Sequence, residues 1–169
     1  VVQVELNSNS VNLNFDNGIE EKIEIQNDYP KNQIVTNEVI EDTKEVNWKI
    51  LIPAIALEAE ISEGTSKEIM DKYVGHFEET SKSVGNVGLA AHNRGYTVNY
   101  FANLKKLKEG DKIIYKCYGF ERTYVVTKNL IITDEDWSYL EETEKNTITL
   151  ITCVENEPMY RRCIQGEEI

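Results

Sequence analysis

From Trp48 to its C-terminus the chain is a succession of short β-type stretches closed by turns, with only brief helical segments between them. Trp48–Pro53 and Ile55–Ile61 read as consecutive strands, with Pro53 confined to a bulge or edge because it cannot donate to a ladder. Asn86–Ala91 is a compact strand of small residues, ended by the Asn93-Arg94-Gly95 turn. Lys112–Tyr118 and Arg122–Leu130 alternate apolar and polar residues around Gly119, as the two arms of a hairpin do. Thr147–Val154 and Arg162–Ile169 close the chain as strands. Short helices are expected after Ser66, over Tyr100–Leu107 and over Asp134–Leu140. Six to eight strands with so little helix fit a mainly β fold, a closed or nearly closed barrel.

Residues 1–47 have a different texture, rich in Asn, Glu, Ile and Val. They hold 10 acidic and 3 basic groups out of 30 and 18 in the whole chain, so the net charge of −12 is concentrated at the front. That composition reads as an N-terminal extension or linker, 1–47, ahead of a folded unit, 48–169. Lys22–Gln26 alternates enough for one strand, and Asp28-Tyr29-Pro30 reads as a turn. The extension would serve as a spacer or as a cover for a groove. The total of 169 residues allows one sizeable core. The acidity argues against nucleic acid, since phosphate binding needs the opposite sign. No stretch of about 18 apolar residues is present. A start at Val1 without Met fits a trimmed ectodomain whose anchor has been removed.

The chemistry gathers at Thr147–Cys153, T-I-T-L-I-T-C, a β-branched strand that ends on a cysteine. On it Thr147, Thr149, Ile151 and Cys153 share one face, and Ile148, Leu150 and Thr152 the other. A thiol becomes a strong nucleophile only as its thiolate, so it needs a nearby cation or base, and its carbonyl target needs donors for the oxyanion. His92, at the end of a strand, supplies an acid or base. Arg162, on the strand after the cysteine, supplies a permanent cation with a fork of donors; Arg161 is the fallback, because a one-residue slip reverses the face. Cys117 and Cys163 read as core thiols, and His76 as an ordinary satisfied polar residue. No cysteine pair has zinc-site spacing.

Taken together these stretches resemble the sortases, the cysteine transpeptidases of Gram-positive surfaces. The resemblance runs in order through Ile52-Pro53, Ile55-Ala56-Leu57, Glu63-Gly64-Thr65, Gly75-His76, Gly85–His92, Phe101–Asp111, Leu150–Cys153 and Arg162-Cys163-Ile164, over residues 48–169. It implies an eight-stranded barrel with Cys153, His92 and Arg162 at one groove. Thr152, next to the cysteine, reads either as a substrate contact or as a plain β-former. It also implies thioester chemistry: Cys153 attacks the Thr carbonyl of an LPxTG-like sorting motif, and an amine of a cell-wall precursor or a pilin resolves the acyl-enzyme. Such enzymes anchor proteins at the extracellular face of the Gram-positive membrane. The Asn93-Arg94-Gly95 turn and the absence of long inserted helices look most like class D, with class A the near alternative. No cofactor is implied, although some class A members bind calcium through acidic loops; Glu78, Glu79, Glu141, Glu142 and Glu144 occupy the corresponding loops here and read first as solvated surface. Two readings compete. One is a non-enzymatic β-barrel binding module with an incidental thiol. The other is a papain-like hydrolase, which the order His92 before Cys153 disfavours.

Overall fold

The computed structural model describes the backbone of residues 3–7, 10–14 and 20–24, and residues 48–169 with their side chains. The chain divides into two compact units, 1–43 and 44–169. In the first, β1 (Gln3–Asn7), β2 (Ser10–Asn14) and β3 (Glu20–Glu24) form an antiparallel three-stranded sheet in the order β1-β2-β3. Sequence alone suggested one strand, at 22–26; the sheet has three. The Asp28–Pro30 turn lies outside the described residues.

The second unit is a closed barrel. Its strands are β4 (Trp48–Ile52), β5 (Leu57–Glu63), β6 (Val74–His76), β7 (Asn86–Ala90), β8 (Lys112–Cys117), β9 (Phe120–Thr133), β10 (Thr147–Val154) and β11 (Glu157–Glu168). The order is β10-β11-β9-β8-β4-β5-β6-β7, and a parallel β7–β10 pair closes the ring. Closure leaves no open sheet edge. Alternate residues of these strands, among them Ile50, Ile52, Ala59, Ile61, Val87, Leu89, Ile113, Tyr115, Tyr124, Ile148, Leu150 and Ile164, fill the core, as a period of two requires. Two polar atoms inside it are paired: Trp48 Nε1 donates to the Tyr115 hydroxyl at 2.9 Å, and that hydroxyl donates to the Lys82 carbonyl at 2.9 Å.

Helix is scarcer than expected. Ser66 caps α1 (Lys67–Met70), its Oγ accepting from the Ile69 N–H at 3.4 Å. The stretches 100–107 and 134–140 keep only short 3-10 turns, at Leu104–Lys106 and Ser138–Leu140. Pro53 opens another such turn, Pro53–Ile55, which ends at Ala56 with φ of 51°, so β5 begins at Leu57 rather than Ile55. The β8–β9 hairpin turns through Tyr118 and Gly119, both at positive φ (37° and 103°), the mirror-image geometry that suits strand twist.

The two strands that carry the cysteine and the arginines are held by their outer face as well. Thr149 Oγ lies 2.9 Å from Asn86 Oδ1 and 3.0 Å from the Tyr139 carbonyl. Asn86 Nδ2 donates to the carbonyls of Tyr139 and Glu141, and Gln165 Nε2 donates to Thr149 Oγ at 3.2 Å. This satisfied polar layer ties β7, β10, β11 and the 138–141 turn together.

Candidate active site

β10 delivers Cys153 to the rim of the barrel. Ile148 and Leu150 of that strand are buried in the core, whereas Cys153 is exposed. The ladder slips at this point: Cys153 pairs with Arg161, but Val154 pairs with Glu157, a bulge between Cys153 and Val154. Bulges of this kind re-aim side chains and recur beside active sites. His92 follows the end of β7, where the Ala91 N–H donates to the Ile151 carbonyl at 3.4 Å and the Phe101 N–H donates to the His92 carbonyl at 3.1 Å. The parallel pairing of β7 with β10, Leu89 to Leu150 and Ala90 to Ile151, is what brings the two strand ends level.

His92, Cys153 and Arg161 line one cleft of about 280 Å³. Its walls are largely apolar, with Met70, Phe77, Ile132, Trp137, Leu140 and Ile151, and its polar members include Thr65, Asp134 and Asp136. Apolar walls with a few convergent polar groups are the usual make-up of a ligand-binding cleft.

The register places the two arginines on opposite faces, with Arg161 and not Arg162 on the side of Cys153. Directly opposed residues share a face, and Cys153 opposes Arg161, while Arg162 opposes Thr152 on the side of Leu150 and Ile164. Arg162 Nη1 donates to Asn129 Oδ1 at 2.5 Å, and Asn129 in turn donates to the Leu107 carbonyl at 2.9 Å. Arg162 meets Cys153 only around the strand end, in a second cavity of about 70 Å³ shared with Asn93, Ala102, Lys105 and Glu155. Arg161 Nη1 donates to the carbonyls of Pro158 (2.7 Å) and Tyr160 (2.8 Å), and Nη2 lies 3.8 Å from Asp134 Oδ2. Those two bonds engage one nitrogen of the guanidinium.

Thr152 lines the same cleft. Its side chain is largely buried, and its hydroxyl donates to the Ala91 carbonyl at 2.7 Å. That bond ties the residue before His92 to the residue before Cys153. A second tie was invisible in the sequence because it spans 60 residues: Asn93 Nδ2 donates to the Cys153 carbonyl at 3.0 Å. Arg94 adds bonds to Glu155 Oε1 (2.8 Å) and Asn156 Oδ1 (2.6 Å) beyond the cysteine.

The three thiols differ sharply. Cys163 lies on Cys153's face, opposite Ile151, but is fully buried, and that burial pushes its thiol up to about 12. Cys117 is buried in the core as well. His76 is buried against Glu63, Nδ1 to Oε1 at 2.7 Å, away from this cleft. Among the described residues no three His, Cys, Asp or Glu side chains converge as metal ligands.

With this geometry in hand, the similarity to known proteins is specific. A sortase-domain family model matches residues 50–168. The chain is 32% identical over 129 residues to sortase A of Bacillus anthracis, covering 76% of this chain and 61% of that protein. It is 29% identical over 116 residues to sortase D of Bacillus subtilis (strain 168), covering 66% of this chain and 56% of that protein. The chain thus spans only about three fifths of the length of these relatives. Among solved structures it is similar to sortase C-1 of Actinomyces oris (TM-score 0.69, 28% identity, 72% of each chain). A lid mutant of sortase A from Corynebacterium diphtheriae matches with TM-score 0.69 and 25% identity, over 73% of this chain and 70% of that one. Class A, C and D names all occur among these matches, so they do not single out a subclass.

Proposed function

The chain belongs to the sortase family, and from that premise we propose that it is a cysteine transpeptidase acting on an LPxTG-like sorting motif. The Cys153 thiolate attacks the carbonyl carbon of the motif's threonine, and the oxyanion that forms is stabilised by the Arg161 guanidinium. Protonated His92 gives its proton to the departing glycine amine as the C–N bond breaks, which leaves a thioester on Cys153 and a neutral imidazole. An incoming amine attacks the thioester and passes a proton to His92; the new amide forms and Cys153 leaves as the thiolate. No atom is lost and no oxidant or metal is required.

The observation that carries this reading is the single cleft lined by an exposed cysteine, its cross-strand arginine and a strand-end histidine. The amine acceptor is proposed to come from a peptidoglycan precursor or a pilin subunit, and the place of action to be the outer face of a Gram-positive membrane. Among the described residues no helix is long and apolar enough to cross a membrane. The barrel, residues 48–169, is proposed to carry the activity, with residues 1–47 as an extension ahead of it.

Incubation with an LPxTG-type peptide and an amine tests the reading: wild-type protein forms the new amide, and Cys153→Ala does not. Activity retained without that thiol would refute the nucleophile. No amide from wild-type protein with any sorting peptide would favour a non-enzymatic binding barrel.

A further inference from the structure

His92 has a second neighbourhood, formed by α1 and the turn after β7. Its Nε2 lies 3.3 Å from Asp71 Oδ1, and both atoms are buried with no aligned hydrogen bond. The other carboxylate oxygen of Asp71 accepts from Lys67 Nζ at 2.6 Å. Tyr96 stacks on the imidazole, with ring centroids 3.5 Å apart and planes 6° from parallel. Lys67 Nζ lies 5.6 Å from the centroid of that tyrosine. The histidine is thus pressed against one aromatic plate with a carboxylate at its edge.

We infer that Asp71 is a positioning residue for His92, orienting the imidazole against Tyr96 and stabilising its protonated form through a charge contact at Nε2. The kinetic consequence rests on the transpeptidase reading; the effect on the ring itself does not. A buried nitrogen facing a buried carboxylate oxygen is costly unless the pair carries opposite charge or aligns as a hydrogen bond. A proton on Nε2 removes that cost, and the anion fixes the plane of the ring. Asp71 is itself held below the ordinary carboxylate range, first by its hydrogen bond from Lys67 and, more weakly, by His92. Lys67 tempers the effect by drawing on the same carboxylate.

The other charged or titratable groups of the cleft that His92 lines are Cys153 of β10, Arg161 of β11, and Asp134 and Asp136 of the β9–β10 connection. They are unchanged in a comparison of Asp71 and Lys67 variants, so the differences report the α1 pair alone. A merely structural Asp71 is the rival account, since its backbone N–H also ends α1 on the carbonyls of Lys67 and Ile69.

The test follows the imidazole protons by NMR across pH in wild-type protein, Asp71→Asn and Lys67→Met. The chain has two histidines, and His76, against Glu63, is the internal control. Asp71→Asn keeps the shape and removes the charge; the His92 midpoint moves to lower pH than in wild-type protein, the direction expected when a neighbouring anion is lost. Lys67→Met, which leaves Asp71 in place, moves it the opposite way. In turnover, one limb of the bell-shaped kcat/KM profile of Asp71→Asn shifts acidward while the other stays. A His92 midpoint unmoved in Asp71→Asn, with only a lower melting temperature, overturns the inference. If Asp71→Asn does not fold, a midpoint that fails to rise in Lys67→Met overturns it equally. Wild-type protein without transpeptidation would sink the functional reading while the titration still decides the role of Asp71.

Discussion

Arg161 and Arg162 are neighbours in sequence and opposites in space, and the difference sets distinct expectations for each. Arg161→Ala removes a cation on the Cys153 side of β11 and is expected to lower kcat by about 10²–10³-fold, the usual loss for an oxyanion donor. Arg162→Ala removes the bond to Asn129 and is expected to act mainly on melting temperature, with turnover within about tenfold of wild type. Steady-state kinetics on the two variants, beside their melting curves, separates the roles. The thiols give a second check: limited alkylation near pH 8 followed by peptide mapping labels Cys153 and spares Cys163, which is fully buried and pushed up to about 12. The strand ends that carry Cys153 and His92 were legible in the sequence because their wording is local. The face each arginine takes was not, because it depends on a bulge and a two-residue turn that no pattern in 154–162 announces. Asp71 and Asn93 were hidden for a related reason: their partners lie 21 and 60 residues away.

At the scale of elements, strands were read better than helices. Thr147–Val154 came out as expected because β-branched residues with period two leave little choice. The stretches at 100–107 and 134–140 carry apolar residues at helical spacing, yet the barrel needs only a turn there and takes 3-10 geometry. Two features at element ends carry testable stability. A Cβ on Gly75 of β6 would stand 2.5 Å from the Gly64 carbonyl oxygen, a backbone atom that cannot step aside. Gly75→Ala is therefore expected to cost about 1–3 kcal/mol in a denaturant titration. At the end of β11, Glu168 is held below the ordinary carboxylate range chiefly by a hydrogen bond from Asn146, which outweighs desolvation, with Arg122 adding smaller contributions. A carboxylate depressed in the folded state stabilises above its unfolded value and loses that contribution as pH falls through its folded value. The acid side of the melting-temperature profile, below about pH 4.5, is accordingly expected to be shallower in Glu168→Gln than in wild type.

At the scale of the molecule, the closed barrel is the device that makes the site. Its β7–β10 pairing and β10–β11 register set a histidine, a cysteine and an arginine from three chain regions on one cleft. All eight barrel strands lie between Trp48 and Glu168, so residues 48–169 produced alone are expected to keep the turnover of the full chain. A marked rise on removal of 1–47 would instead identify that segment as a cover over the groove. The most direct test of the account is intact-protein mass spectrometry after brief exposure to an LPxTG-type peptide without added amine, followed by mapping of the adduct. The account predicts an added acyl mass carried as a thioester on Cys153, present in wild-type protein and strongly reduced in Arg161→Ala. An adduct on Cys117 or Cys163, or one formed equally well without Arg161, would contradict it.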